Sequence, residues 1–242
     1  GAMFYATKLP QIEKSSRLSL NEAHDYAQIF INNKLIGTID RTKNEKSIKL
    51  PPVKQGATLT ILIEAMGRIN FGRAVKDFKG ITESVTIDTE MNGHDVSYHL
   101  KNWVIAPIPD SHQTAQHAFD KLDETNRCFS PINFSSPSIG YYRGYFDLKK
   151  VGDTFLNLEQ WGKGQVYVNG HALGRFWRIG PQQTLYLPGC WLKKGRNEII
   201  VMDIVGPKAP VIWGQDQPKL NKLQLEKTNK HNNPGDRPDL NS

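Results

Sequence analysis

Short runs of β-branched and aromatic residues, separated by turn residues, make up most of the chain. Residues 28–31 and 165–168 are two such runs, and their composition is typical of half-buried strands. The runs end at Asn-Asn and Asn-Gly pairs, residues 32–33 and 169–170, which tolerate the positive φ angles of a tight hairpin turn. Helical spacing of apolar residues occurs only in residues 115–122. The pattern predicts an all-β fold of antiparallel sandwich or jelly-roll type.

The strand pattern occurs twice along the chain. Three blocks recur in the same order, the third at a spacing two residues longer than that of the first two. The paired blocks are residues 27–37 and 164–174, residues 50–51 and 187–188, and residues 56–67 and 195–206. The period is too long for a solenoid repeat and indicates the duplication of a whole domain. We therefore expect two tandem antiparallel β-sandwich domains.

The repeated blocks and the composition between them predict the domain limits. The first sandwich is expected at residues 4–102 and the second at residues 138–217, with a polar, proline-punctuated connector at residues 103–137. Residues 1–3 are typical of an expression scar. Residues 218–242 form a polar tail with too few apolar side chains to order itself strongly.

Charge and cysteine content exclude several classes of protein. The net charge is +7, and the basic residues are interspersed with acidic ones. The sequence has no known nucleic-acid-binding motif and no basic residues interleaved with stacking aromatics, which favours a solvated surface over a nucleic-acid surface. No apolar run approaches the roughly 18–20 residues that a membrane span needs. Cys128 and Cys190 form no metal-binding pair. Two buried thiols are expected, and a single bridge between them is the alternative. Neither nucleic acid nor a membrane is an expected partner.

Motifs that carry common catalytic chemistry are absent from the sequence. There is no HExxH spacing, no nucleophile elbow and no phosphate or dinucleotide loop, so neither a metal site nor a cofactor is expected. Glycoside hydrolysis normally needs two carboxylates about 5–9 Å apart. The sequence alignment places Glu64 and Asp203 at equivalent positions of the two copies, so we interpret them as structural. No catalytic residue is expected.

Aromatic residues are the best candidates for contacts with a ligand. Trp161, Trp177 and Trp191 lie around the second hairpin and the loop that follows it, and Arg175 is close by in sequence. An indole face stacks on the apolar face of a pyranose, while arginine donates to hydroxyl groups. The alternative is that these rings fill the sandwich core, as large aromatic side chains usually do. These four residues are the candidate carbohydrate-binding residues.

Longer motifs around these residues resemble the C-terminal part of glycoside hydrolase family 35 β-galactosidases. In the second copy they are WGKGQVYVNG at 161–170, LGRFW at 173–177 and GPQQTLYLP at 180–188. In the first copy they are EAMGRINFG at 64–72 and DFKGI at 77–81. The resemblance extends over residues 4–217 and implies two galactose-binding-like jelly rolls.

The resemblance also implies a function. In that family the catalytic glutamates lie in a (β/α)₈ barrel, and this sequence contains no part of it, so no catalytic residue carries over. The implied role is a non-catalytic accessory region that supports the barrel domain, its partner, and that has no hydrolytic activity alone. The alternative is a true carbohydrate-binding module whose partners are galactosides. The resemblance further implies an exported protein of the periplasm, the extracellular space or the lysosome.

Overall fold

The chain folds into two compact units, Gly1–Asp110 (the first unit) and Ser111–Ser242 (the second unit). The structure, a computed structural model, describes residues 1–70, 75–91, 93–108, 111–124 and 139–220. Each unit consists of antiparallel sheets that face each other across an apolar core, which confirms the predicted all-β sandwich class.

The first unit is a sandwich of a five-stranded and a four-stranded sheet. Its strands are β1 (Ala2–Lys8), β2 (Ser16–Leu20), β3 (Ala23–His24), β4 (Tyr26–Ile31), β5 (Lys34–Asp40), β6 (Ser47–Leu50), β7 (Thr58–Glu64), β8 (Gly80–Ile81), β9 (Val85–Met91), β10 (His94–His99) and β11 (Val104–Ile108). The sheet orders are β11-β1-β7-β4-β5 and β10-β9-β2-β6, and β3 pairs with β8. Leucine and isoleucine side chains from both sheets fill the core, each contributing about 1.5–3 kcal/mol.

The second unit repeats this arrangement with one strand fewer in each sheet and with one helix. Its elements are α1 (His112–Glu124), β12 (Gly140–Leu148), β13 (Thr154–Asn157), β14 (Lys163–Val168), β15 (His171–Trp177), β16 (Thr184–Leu187), β17 (Gly195–Asp203) and β18 (Trp213–Gln215). The sheet orders are β12-β17-β14-β15 and β16-β13-β18. Helix α1 packs Ala115 and Phe119 against Tyr167 and Ile200, on the face of the larger sheet that points away from the sandwich core.

Both predicted hairpin turns form. Asn32 and Asn33 have φ angles of 47° and 67°, and Asn169 and Gly170 have φ angles of 48° and 87°. Positive φ at both central residues is the geometry of a type I′ turn, whose twist matches that of the flanking strands. The β4–β5 and β14–β15 pairs that these turns connect also change register at aligned positions, after Ile29 and after Val166. The duplication is therefore visible in the backbone.

The equivalence of Glu64 and Asp203, inferred from the sequence, is wrong by one residue. Glu64 lies opposite Tyr26, whereas Asp203 lies opposite Gly164, which aligns with Ala27. The sequence alignment matches the acidic residues, but the ladder hydrogen bonds set a register one residue apart. Because side chains alternate along a strand, this slip places the two carboxylates on opposite faces of the corresponding sheets.

Residues outside the predicted sandwich limits also take part in regular structure. Val104–Ile108 pairs with β1 as strand β11, and His112–Glu124 forms α1 with Ser111 Oγ accepting from the Thr114 amide, although residues 103–137 were predicted as a connector. Ala2 and Met3 belong to β1. Residues 125–138 and 221–242 lie outside the described residues, and the domain limits stay predictions. Cys190, expected to be buried, is an exposed free thiol.

Candidate functional site

Two buried carboxylates of the first unit share the same two cations. Arg41 Nη1 donates to Asp25 Oδ1 at 2.7 Å and to Asp77 Oδ1 at 2.8 Å. Lys79 Nζ donates to the second oxygen of each carboxylate, at 2.7 Å for Asp25. The Met66 amide also donates to Asp25 Oδ2, at 2.7 Å. This network ties the entry to β4 to the segments after β7 and before β8.

The electrostatics of this network exclude a role for it in acid catalysis. Burial alone raises the pKa of Asp25 and Asp77, but the hydrogen bonds from Lys79 and Arg41 outweigh burial and lower the pKa of both carboxyls. Both carboxylates therefore stay ionised at neutral pH. The acid of a glycoside hydrolase must keep its proton through a raised pKa. An ionised pair does not meet this requirement.

A third buried carboxylate, that of Asp203, fixes the corresponding corner of the second unit. Asp203 is 0% exposed. Its Oδ2 accepts from the Gly162 amide at 2.7 Å, and its Oδ1 accepts from the amides of Lys163, Val205 and Gly206 at 3.2, 2.8 and 2.8 Å. Four backbone donors surround one carboxylate, which leaves no room for a substrate. This corner is also structural.

Trp161, one of the four candidate carbohydrate-binding residues, lies in the core of the second unit. Its side chain belongs to the buried cluster between the sheets, and the residue is 3% exposed. Its Nε1 donates to the Val211 carbonyl at 3.0 Å, and its ring meets Tyr142 edge to face at 5.1 Å. An indole this deeply buried offers no open stacking face to a sugar, although its edge lines a cleft described below.

Arg175 and Trp177 lie two residues apart on the side of β15 that is turned away from the core. Phe176 between them is buried, Arg175 is exposed and Trp177 is half-buried. Lys163 lies opposite Trp177 across the β14–β15 ladder, and its Nζ is 4.3 Å from the indole centroid, a cation–π contact. Arg175 and Trp177 are the two residues of the predicted platform that the structure brings together.

Trp191 lies in a short 3-10 turn after β16, far from Trp177. Its ring stacks on His171 with a centroid distance of 4.6 Å, and its carbonyl accepts from Asn169 Nδ2 at 2.8 Å. His171 and Trp177 are the two ends of β15, about 20 Å apart for a seven-residue strand. The four candidate residues therefore do not converge on one site. Their role in sugar binding stays a prediction.

A cleft of about 700 Å³ in the second unit is lined by residues of β12 and β18 and is here called the edge cleft. Its floor is apolar and includes Leu156, Trp161, Ile199 and Val201. Its rim includes Trp213, which is 42% exposed. Sequence analysis missed this feature. The available signal was Gly144 in the middle of the aromatic run Tyr141–Phe146, because a glycine within a strand marks close approach by another group.

Metal and membrane features are absent from the parts of the chain that the structure describes. There, no group of three or more histidine, cysteine, aspartate or glutamate side chains is placed to hold a metal ion. None of the helical residues described forms a helix long and apolar enough to cross a membrane. The fold defines a tandem β-sandwich protein.

Comparison with known proteins identifies the family. Residues 1–108 match the family described as "Beta-galactosidase, first all-beta domain", and residues 139–197 match "Beta-galactosidase, galactose-binding domain". The chain is 36% identical to the rat Beta-galactosidase-1-like protein 3 over 81% of this chain and 29% of the rat protein. It is 31% identical to the Bos taurus Beta-galactosidase over 96% of this chain and 37% of the bovine protein. The chain belongs to the β-galactosidase family and spans about a third of the length of these relatives.

Proposed function

We propose that the chain is a non-catalytic accessory region of a β-galactosidase that supports a catalytic (β/α)₈ barrel. The observation that carries the proposal is the order of the two family matches, which fall on the first and the second unit in turn. The relatives are proteins about three times as long that are named β-galactosidases or β-galactosidase-like.

The chemistry of the described residues supports a supporting role over a catalytic one. The buried carboxylates at Asp25, Asp77 and Asp203 are held by cations or backbone amides, so they brace corners of the sandwiches. Braced corners make a rigid β-scaffold, which suits a domain that holds another domain in place.

The accessory role predicts that the chain alone releases no nitrophenol from p-nitrophenyl β-D-galactoside, because the buried carboxylates described above are engaged by cations or backbone amides and not by a substrate. It also predicts that co-expression with a bovine β-galactosidase that lacks its matching third increases the soluble activity of that enzyme. Both are measured with the same colorimetric assay, with intact bovine enzyme as the positive control. Saturable turnover by the chain alone, or no gain on co-expression, contradicts the proposal.

A second candidate function, galactoside binding, is favoured by one observation. Arg175 and Trp177 share the outward side of β15, where an indole and a guanidinium are placed as a stacking surface and a hydroxyl donor. We propose this surface as the alternative binding site.

This alternative predicts saturable NMR shift changes on titration with methyl β-D-galactoside. Trp177→Ala or Arg175→Ala is expected to weaken binding at least tenfold, because each removes a direct contact. Trp213→Ala is the matched control, since it removes an exposed indole at a different place in the second unit. Absence of shifts into the millimolar range, or equal binding by all three variants, speaks against a galactoside site here.

A further inference from the structure

The first unit carries two further strands along an edge where the described part of the second unit carries none. In the first unit, β10 pairs with the outer side of β9, and β11 pairs with the outer side of β1. In the second unit, β18 corresponds to β9 and β12 corresponds to β1, and each of the two is the last strand of its sheet. Within residues 139–220, no strand lies beyond either of them.

The segment that closes the first unit does so with large apolar side chains. Residues 94–108 run from one sheet to the other, and Tyr98, Leu100 and Trp103 pack against the core on the way. Trp103 meets the Tyr5 ring edge to face at 6.4 Å. An aromatic anchor between two added strands is therefore what fills this place in the first copy of the fold.

The edge cleft lies at the corresponding place in the second unit. Tyr5 and Tyr142 occupy corresponding positions. Tyr5 lies in line with Ile29 across β7, and Tyr142 lies in line with Val166 across β17, while Ile29 and Val166 are aligned in the sequence repeat. Tyr5 contacts the closing segment of the first unit, and Tyr142 lines the edge cleft. The internal duplicate thus shows which kind of group occupies such a cleft.

Gly144 gives the cleft room for a main chain. Its counterpart, two residues beyond Tyr5, is Thr7, whose hydroxyl donates to the Lys101 carbonyl of the closing segment at 2.7 Å. A Cβ at Gly144 would have as its nearest neighbour Ile199 Cγ2 at 3.5 Å, an ordinary contact distance. A glycine that packing does not require, on the wall of an apolar cleft, leaves space for an approaching backbone.

The lining favours a peptide over a sugar. The floor consists of apolar side chains, whereas a sugar needs several convergent polar groups. Two polar groups at the rim are engaged within the unit: Asp153 accepts from Tyr186 and from the Gly189 amide, both at 2.8 Å, and the Thr154 hydroxyl donates to the Gln215 carbonyl. The charged residues Arg143, Lys150 and Asp216 also line the cleft. An extended peptide presents apolar side chains to such a floor and bonds to a strand edge through its backbone.

The described C-terminal residues do not close the cleft. Leu220 pairs with Gln182, and the Lys219 carbonyl accepts from the Gln183 amide at 3.1 Å. These contacts lie beside β16, which is the opposite edge of the sheet from β18. Asp216, directly after β18, still lines the edge cleft, whereas residues 217–220 do not.

We propose that the edge cleft binds an extended polypeptide segment that carries a bulky aromatic residue and that runs along the β12 edge beside Gly144. The aromatic side chain enters the cleft between the two sheets, as Trp103 does in the first unit. This binding site goes beyond the accessory role and does not depend on it.

The test uses the full chain and a fluorescein-labelled peptide with the sequence of residues 94–108, read by fluorescence polarisation. The expected result is saturable binding with a micromolar dissociation constant, weakened at least tenfold by Trp103→Ala in the peptide. Gly144→Ile in the chain places a side chain inside the cleft and is also expected to weaken binding at least tenfold. Gly140→Ile on the same strand, outside the cleft, is the matched control.

The variants separate a filled cleft from a damaged fold. Because the Gly144 Cβ position is sterically open, Gly144→Ile is expected to keep the thermal midpoint of the wild-type chain. Equal affinity for the two peptides, or unchanged affinity in Gly144→Ile, overturns the proposal. So does the absence of saturable binding into the millimolar range. Displacement of the peptide by methyl β-D-galactoside assigns the cleft to a sugar, and a wild-type dimer that Gly144→Ile abolishes assigns it to a second copy; both results overturn it.

Discussion

Asp203→Ala is expected to destabilise the second unit by about 5 kcal/mol, enough to unfold it at room temperature if the unit is of ordinary stability. The carboxylate accepts from four backbone amides, and alanine leaves these donors buried without their acceptor. Each such donor costs about 1–3 kcal/mol, reduced where water enters. Hydrogen-exchange mass spectrometry on peptides from β17 measures the loss of protection.

The control for Asp203→Ala is Asp147→Ala, which removes an exposed carboxylate from the neighbouring strand β12. It is expected to change the free energy of unfolding by less than about 0.5 kcal/mol. Peptides from β7 report on the first unit separately. Similar exchange rates for Asp203→Ala and Asp147→Ala in β17 are inconsistent with the corner as described.

Lys79→Met is expected to destabilise the first unit by about 3 kcal/mol, because it removes one of the two cations that neutralise Asp25 and Asp77. The Lys79 side chain is 16% exposed, so water compensates little. The matched control is Lys46→Met, which breaks an ion pair to Glu22 from a lysine side chain that is 65% exposed and is expected to cost less than about 1 kcal/mol. Protection of β7 amides against hydrogen exchange measures both.

The effect of Lys79→Met depends on pH in a defined direction. The pKa of Asp25 and of Asp77 is lowered in the folded chain, so their ionisation adds stability above the ordinary carboxyl pKa of about 3.9. That stability is lost as the pH falls through the lowered pKa. The penalty of Lys79→Met is therefore largest at neutral pH and shrinks in acid, where the carboxyls are protonated. A penalty that grows in acid contradicts the assigned charges.

The turns and the duplication were predictable because they depend on local chemistry. Asn32 and Asn169 tolerate positive φ, and each follows a short run of strand-forming residues. Once two such hairpins align along the sequence, a duplicated sandwich is the simplest fold. The register of β7 and of β17 was not predictable. Glu64 and Asp203 look alike in sequence, whereas the backbone hydrogen bonds alone set the pairing.

The fate of the tryptophans and the edge cleft depend on non-local packing. Trp161 is buried between the sheets, whereas Trp177 lies on the outward side of an edge strand. Alternation assigns a side chain to one of two faces, but only the assembled sandwich decides which face is inside. The cleft forms because no described strand continues the sheets beyond β12 and β18, and Gly144 alone marks the place without showing which strands are missing.

The braced corners also limit how the two copies could be recombined. In the first unit the carboxylate comes from Asp25, which precedes β4, and in the second it comes from Asp203, at the end of β17. Gly162 aligns with Asp25, and a Cβ there would lie 2.9 Å from Asp203 Oδ1. A chimaera that exchanged only one of these strands would therefore bring two carboxylates to the corner or none. In each copy, the strand that carries the carboxylate and the strand that it contacts at the corner therefore have to be exchanged together.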